Sequence, residues 1–517
     1  MSYAIRRKDA DVDVVVVGAG PAGAAAACHL ARSGASVVLL DRAKFPRDKV
    51  CGDFVGPAAL VELGLLGVSG MAGYSRTNIG RRAALHLDGQ ELICQAFPKA
   101  LGSVPLYGRV IPRLALDQLI VNAARKSGVR VMDGFPLVGF LRDERGLTIA
   151  TRGPAGVFAI RARLMVAADG SSSAIARAIR GSLAPRRDRI VAARAYFENV
   201  EGPEDRLDIY FNRECFPGYY WLFPTGRGEA NVGLGMALET LPAFKETPAA
   251  ALQRLMHSDR ALASRLKNAK LRGKVVGWPL ITYNPRLPIV ADRIVLIGDA
   301  AGLINPLNGE GIQYALQSAR WAAETITPHL RDGDFSETAL AQFTRRVETE
   351  LRYDMALARL IVQFISHRAV TPVSLEALKI IITKARRDPD YSRVAAGILA
   401  GSSPARAALE LSFLSGTLNQ AARSLALKSL FCAKGGPKAW GALGVDVTQM
   451  GFQFGFDAVA LPADFANWTA SSASGVLELA ALAVADTMQG RKKEALPTVR
   501  IASVSRQIVD YESRSIM

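Results

Sequence analysis

The stretch VDVVVVGAGPAG (12–23) constrains this chain more than any other. VDVVVV is a continuous β-branched run, the pattern of a strand buried in a parallel sheet. PAGAAAACHLARSG then reads as a helix, with Pro21 in its first turn and Gly34 past its end. SVVLL is the next strand, closed by Asp41 and Arg42. A GxGxxG turn between a strand and a helix is built for a dinucleotide. Gly18 permits the tight turn, Gly20 lets the backbone approach a pyrophosphate, and Gly23 allows close helix–strand packing. Pro21 and Ala22 open the helix, whose free N–H groups and partial positive charge favour an anion. Asp41 is placed to accept hydrogen bonds from an adenosine ribose, with Arg42 beside it. NAD and FAD fit this unit equally well.

Two later segments narrow the choice. MVAADGSSS ends a strand at Asp169-Gly170, and RIVLIGDAAGLINPLNGEGI ends another at Gly298-Asp299. The second continues through Asn308, Gly309, Gly311 and Ile312 into a helix that starts at about 310. Between these units lie short alternating segments, among them ALHLDGQELICQAF with its DG hairpin turn, and a strand-rich stretch over 190–280. Beyond 336 the chain reads as mainly helical. The expected fold is α/β with an α+β insertion. A discontinuous Rossmann-like domain (10–74, 108–185, 285–345) would carry an antiparallel β substrate domain (75–107, 186–284) and a helical C-terminal region (346–517).

GxGxxG, DG and GD in this order resemble the FAD-dependent flavoproteins shaped like para-hydroxybenzoate hydroxylase, over about residues 10–345. The resemblance implies FAD, with Asp299 on the ribityl hydroxyls and Arg113 of RLALDQL against the cofactor. It also implies that the helix N-terminus near 309–311 faces the flavin pyrimidine edge. One position departs: seven residues after Asp169 the family often has Arg, whereas here Ala176 precedes Arg177. Plainer alternatives are a ligand-free N-cap for Asp299 and a surface arginine for Arg113.

FPRDKVCGD (45–53), PGYYWLFPTGRGEANVGLG (217–235) and PLNGEGI (306–312) further resemble the geranylgeranyl reductase branch. That branch saturates isoprenoid double bonds with reduced FAD in an apolar tunnel. The resemblance puts Cys51 near the flavin ring, where a thiol can deliver the proton that completes alkene reduction. A small buried core cysteine is the alternative. The branch's double glycine after the cysteine is Gly52-Asp53 here. Tyr219 and Trp221 are either pocket wall or strand-core aromatics on one face. Flavin-dependent halogenases are a related possibility, but their GWxWxIP signature is met only by GYYWLFP (218–224). A flavin monooxygenase is the other oxygen-using alternative. No second GxGxxG follows a strand, so electrons would come from transiently docked NAD(P)H or from a partner reductase.

Composition bounds the setting. The 517 residues carry a net charge of +17. Lys and Arg are scattered without an aromatic-interleaved basic stripe, which argues against nucleic acid. Acidic partners, including anionic lipid surfaces, stay open, and with them a membrane-associated binding or electron-carrier role. The five cysteines include no CxxC, so neither a metal site nor a disulfide framework is expected, and a reducing cytoplasm fits best. Arg6, Arg7 and Lys8 precede an apolar run as in a signal peptide, but Asp9, Asp11 and Asp13 interrupt it. The segment 470–486 is apolar but rich in Ala and Ser and contains Glu478, which argues against a spanning helix.

Overall fold

The computed structural model describes residues 11–97, 105–182, 184–240, 246–367, 370–399, 407, 410, 412–423 and 462–488. Arg6, Arg7, Lys8, Asp9 and Cys432 lie outside them. The architecture is mixed α/β, and its largest sheet has eight strands. Val290–Ala291, Ile294–Leu296, Gly156–Ala167, Val12–Val17, Val37–Asp41 and Arg130–Asp133 lie side by side in that order. The last five are mutually parallel. The antiparallel hairpin Leu137–Asp143 and Gly146–Gly153 extends the outer half of Gly156–Ala167.

The helix Pro21–Arg32 shows why half of its twelve residues are alanine. It is wedged between the sheet and the helices Arg113–Lys126 and Ile312–Asp332, and Ala24, Ala25, Ala26 and Ala27 are fully buried. Larger side chains there would hold the layers apart.

A second sheet of seven strands runs Lys270–Ile281, Arg189–Glu198, Glu229–Ala237, Tyr219–Gly226, Arg206–Phe211, Arg82–Leu87, Gln90–Ala96. The last two strands form the expected hairpin. Asp88 and Gly89 both adopt positive φ, 49° and 76°, as a two-residue hairpin turn requires. The sheet separates its faces by strict alternation. Tyr220, Leu222, Val232 and Leu234 pack under the helices Pro248–Ser258 and Arg260–Arg265. Tyr219, Trp221 and Phe223 point to the opposite face.

Two features depart from the sequence reading. The helices over 248–265 interrupt a stretch read as strands. Asn78–Gly80 pairs not with the hairpin but with Gly108–Val110, which also pairs with Phe54–Val55, in a small third sheet. The third sheet depends on bare glycines: a Cβ on Gly108 would lie 2.1 Å from the Phe54 ring, and one on Gly80 2.9 Å from Leu207. The C-terminal portion contributes the helices Glu337–Ile365, Thr371–Ala385, Pro389–Leu399 and Pro462–Met488. Among the described residues no helix is long and apolar enough to cross a membrane.

Candidate active site

The three fingerprints meet at one end of the parallel sheet. A Cβ on Gly18 (φ 99°) would lie 2.3 Å from the carbonyl oxygen of Ala168, so the glycine turn rests directly on the strand that ends at Asp169. Gly23 is bare for the reason the motif implies: a Cβ there would lie 1.8 Å from the Gly18 carbonyl oxygen. Gly298 (φ 55°) lets the third fingerprint approach Ala22, 2.8 Å from where its own Cβ would stand. The carboxylate of Asp299 then accepts a hydrogen bond from the Ser171 hydroxyl at 3.1 Å. Asp169 accepts from the Ala174 N–H at 3.0 Å, its second oxygen is buried without a partner, and burial raises its pKa.

Asp41 first serves the loop. Its carboxylate accepts from the N–H groups of Ala19 at 2.8 Å and Ala43 at 2.9 Å. Arg47 bridges Asp41 at 3.3 Å and Asp117 at 3.0 Å, and Arg113 grips Asp117 with two hydrogen bonds of 2.7 and 2.8 Å. Guanidinium nitrogens of Arg47 and Arg113 therefore lie 3.6 and 3.8 Å from the position of a Gly20 Cβ. Two cations beside a bare glycine and a helix N-terminus are the chemistry that could hold a pyrophosphate. Arg47 was missed as a site residue, although the FPR segment contained it.

The segment 45–53 also carries Cys51 to the second sheet. Asn231 donates from Nδ2 to the Cys51 carbonyl at 2.8 Å and to Asp53 Oδ2 at 2.7 Å. Its Oδ1 accepts from Trp221 Nε1 at 3.0 Å. The Tyr196 hydroxyl donates to Asp53 Oδ2 at 2.6 Å, and the Asp53 N–H to Cys51 Sγ at 3.4 Å. Gly233 makes room for the indole, since a Cβ there would lie 2.2 Å from the Trp221 ring; one on Gly52 would meet the ring at 3.4 Å, an ordinary contact. Burial pushes the Cys51 thiol up to about 11, so it is S–H at neutral pH. Burial likewise pushes Asp53 up to about 6, against the Tyr196 and Asn231 hydrogen bonds that lower it. Glu310 is pushed up to about 7 by burial. The ammonium of Lys49 lies 3.9 Å over the Trp278 ring, and burial lowers it to about 8.

Asp53 is costly where it stands. It is fully buried and holds φ 64°, a left-handed conformation that costs a non-glycine residue about 1 kcal/mol. Its folded pKa lies above the ordinary carboxylate value. The native state therefore holds the proton more tightly than the unfolded chain, and this stability is lost as pH rises through about 6. Asp53→Asn keeps an acceptor for Tyr196 and suits the left-handed backbone. It should be more stable than the parent at pH 8 by up to about 3 kcal/mol, two pKa units at ~1.4 kcal/mol each. Urea titrations should show the gap narrowing as pH falls from 7 to 5; an equal gap at pH 5 and pH 8 would refute this account.

One cavity of about 1320 Å³ joins most of these groups. It is larger than the ~300–1,000 Å³ of a single-ligand site, leaving room for a cofactor and a second molecule. Gly18, Gly20, Pro21, Ala22, Asp41, Arg42, Cys51, Arg113, Asp169, Tyr219, Trp221, Asp299, Asn308, Gly309, Gly311 and Ile312 line it. Gly23 and Gly298 do not; they act through packing. Arg177 is on the wall, one residue after the family's position. Tyr219, Trp221 and Phe223, with rings 6.0 and 6.2 Å apart, are both the strand's one-face aromatics and a wall of the cavity. The Tyr219 hydroxyl donates to the Asn308 carbonyl at 2.5 Å, fixing the loop before the helix at Ile312. Ile93, Ile209 and Phe211 also line this cavity, as do Ile365, Leu378 and Ile382 of the C-terminal helices together with Arg386, Arg387 and Arg393.

Comparison with known proteins agrees with this geometry. Residues 11–209 match the FAD binding domain family, and residues 188–274 the geranylgeranyl reductase catalytic domain. The chain is 36% identical to a menaquinone reductase of Mycolicibacterium smegmatis, over 61% of this chain and 76% of that protein. It is 31% identical to a digeranylgeranylglycerophospholipid reductase of Methanopyrus kandleri, over 66% and 83%. Among solved structures, a geranylgeranyl bacteriochlorophyll reductase-like protein from Thermoplasma acidophilum aligns with a TM-score of 0.63 at 24% identity, covering 72% of this chain and 91% of that one. A flavin-dependent brominase aligns with a TM-score of 0.62 at 17% identity, over 80% and 99%, a likeness of fold alone.

Proposed function

Because the chain belongs to the geranylgeranyl reductase family of FAD-dependent oxidoreductases, we propose that it saturates carbon–carbon double bonds of a lipophilic, isoprenoid-like substrate. One observation carries the reading: a single cavity holds the dinucleotide loop, the Cys51 thiol, the Tyr219–Trp221–Phe223 wall and apolar side chains of the C-terminal helices. Bound FAD, when reduced, supplies the hydride. The Cys51 S–H bond supplies the proton to the other alkene carbon, and burial keeps that bond intact at neutral pH. The aromatic wall holds the chain and excludes water.

In this reading Gly18, Gly20, Pro21 and Ala22 hold the pyrophosphate with Arg47 and Arg113, and Gly23 keeps the turn closed. Asp41 and Arg42 face the adenosine ribose, and Asp169 and Gly298-Asp299 the ribityl side. Asn308, Gly309, Gly311 and Ile312 border the ring edge. Residues 10–74, 108–185 and 285–345 form the cofactor domain, 75–107 and 186–284 the substrate domain. The helices after 346 supply apolar side chains to the cavity wall. Electrons come from NAD(P)H or a partner reductase, and the +17 charge suits work at an anionic membrane surface.

Anaerobic mixing of the reduced, FAD-loaded enzyme with menaquinone or geranylgeranyl lipids tests the reading. Flavin reoxidation should accompany a product that has gained a pair of hydrogens. Flavin that stays reduced with every alkene offered, yet reoxidises in oxygen with turnover of an aromatic substrate, would sink it.

A further inference from the structure

Asp53 stands where the family segment has its second glycine, and the structure gives it two penalties at once. Its backbone occupies a conformation that glycine adopts freely, and its carboxylate is fully buried. Among the described residues no Lys or Arg forms an ion pair with it; Arg194, the nearby cation, is paired with Asp48 and stacked on Tyr196. Oδ2 takes both hydrogen bonds, from Tyr196 and Asn231, and Oδ1 has no partner. A residue kept at such a cost beside a reactive group is a candidate for a role in the reaction.

The geometry says which role. Asp53 touches the chemistry through Cys51 on two sides. Its own N–H is aimed at Sγ, and Asn231, bonded to its carboxylate, also holds the Cys51 carbonyl. The same asparagine fixes the Trp221 indole, so one carboxylate orders both the thiol and the aromatic wall. We propose that Asp53 is a positioning residue for Cys51: its N–H orients Sγ, and its buried negative charge holds the sulfur as S–H, ready to give its proton to the substrate. The proposal rests on the reading of Cys51 as proton donor. The groups facing the sulfur are few. Burial most of all, and then the Asp53 carboxylate and Glu310, favour the thiol, whereas Arg113 and the Asp53 N–H favour the thiolate. Lys49 and Tyr219 are the other titratable neighbours that sense it. Around Asp53 itself stand Tyr196, Asn231, Arg194 and Arg113.

After the proton leaves, the thiolate beside an ionised Asp53 is disfavoured and recovers a proton from water through the open cavity. The S–H bond broken is thus remade without any redox change at sulfur.

The test needs no substrate, so its failure is separable from failure of the reductase reading. Oxidised, FAD-loaded enzyme is treated with iodoacetamide between pH 7 and 11, and alkylation of Cys51 is followed by peptide mass spectrometry. Asp53→Asn should lower the midpoint by about one pH unit and speed alkylation at pH 8 about tenfold, the effect of removing one close like charge. Tyr196→Phe loosens the same network but leaves the charge, and its midpoint should stay at the parent value. A profile for Asp53→Asn that superimposes on the parent overturns the proposal. So does an equal shift in both variants, since network geometry rather than the Asp53 charge would then be at work. Retained flavin absorbance shows that both variants are folded.

Discussion

Gly23→Ala should give a protein that folds poorly and purifies nearly free of flavin. The added methyl would lie 1.8 Å from the Gly18 carbonyl oxygen and 3.0 Å from the Ala168 Cβ. Both neighbours are fixed: Gly18 by its hydrogen bond to the Leu40 carbonyl, Ala168 by its bond to Val17. The contact is with backbone, so no rotamer change relieves it. Overpacking of this kind costs about 3 kcal/mol or more. If the turn opens to release the strain, the N–H groups at the helix start no longer converge on the pyrophosphate. At 1.4 kcal/mol per decade, FAD affinity should then fall by about two orders of magnitude. Gly139→Ala is the matched control, since a Cβ there meets nothing within 4 Å and its φ is not left-handed. Flavin content by absorbance and thermal melting of both variants decide the matter. A Gly23→Ala protein that retains stoichiometric FAD and the parent melting temperature would show that the turn does not bear on the cofactor as described.

That prediction was within reach of the sequence because its cause is local. The strand, turn and helix around Gly18 and Gly23 are contiguous, and the residue pattern states their packing. The same holds for the Asp88-Gly89 hairpin and for the one-face spacing of Tyr219 and Trp221. What stayed hidden joins distant strands. Arg47 reaches Asp117, seventy positions away, and Asn231 reaches Cys51 and Asp53 across 180 and 178. Such pairings depend on the register of the second sheet against the 45–53 segment, and a one-residue slip would turn every side chain to the other face. The third sheet was missed for a related reason: strands of two or three residues leave no periodicity to read. The glycines at 52 and 233 were legible as motif letters, but their purpose was not. The Trp221 ring explains why Gly233 carries no side chain, while Gly52 lies in ordinary contact with the same ring.

Cys51→Ala should uncouple the two halves of alkene reduction. The alanine fills nearly the same space, and the groups that could hold the pyrophosphate, Arg47, Arg113 and the 18–23 turn, do not depend on the sulfur. Flavin binding and reduction by an external donor should therefore match the parent. On the proposed function, what is lost is the proton source. In the parent the thiol stands half-buried on the cavity wall, held protonated by its surroundings and oriented by the Asp53 N–H. Removing a positioned general acid typically costs 10²–10⁴-fold, so alkene-dependent reoxidation of the reduced enzyme should slow by about that factor in single-turnover stopped flow. Substrate affinity, read from the concentration dependence of that rate, should change little, because the aromatic wall and the apolar lining are intact. The solvent isotope effect discriminates further. If Cys51 delivers the proton, the residual reaction in the variant draws directly on water and its dependence on pH follows no thiol. A variant whose single-turnover rate stays within about threefold of the parent would assign the proton to another group on the same wall. Lys49 would then be the residue to substitute next, since its ammonium is buried over Trp278 with no hydrogen-bond partner among the described residues.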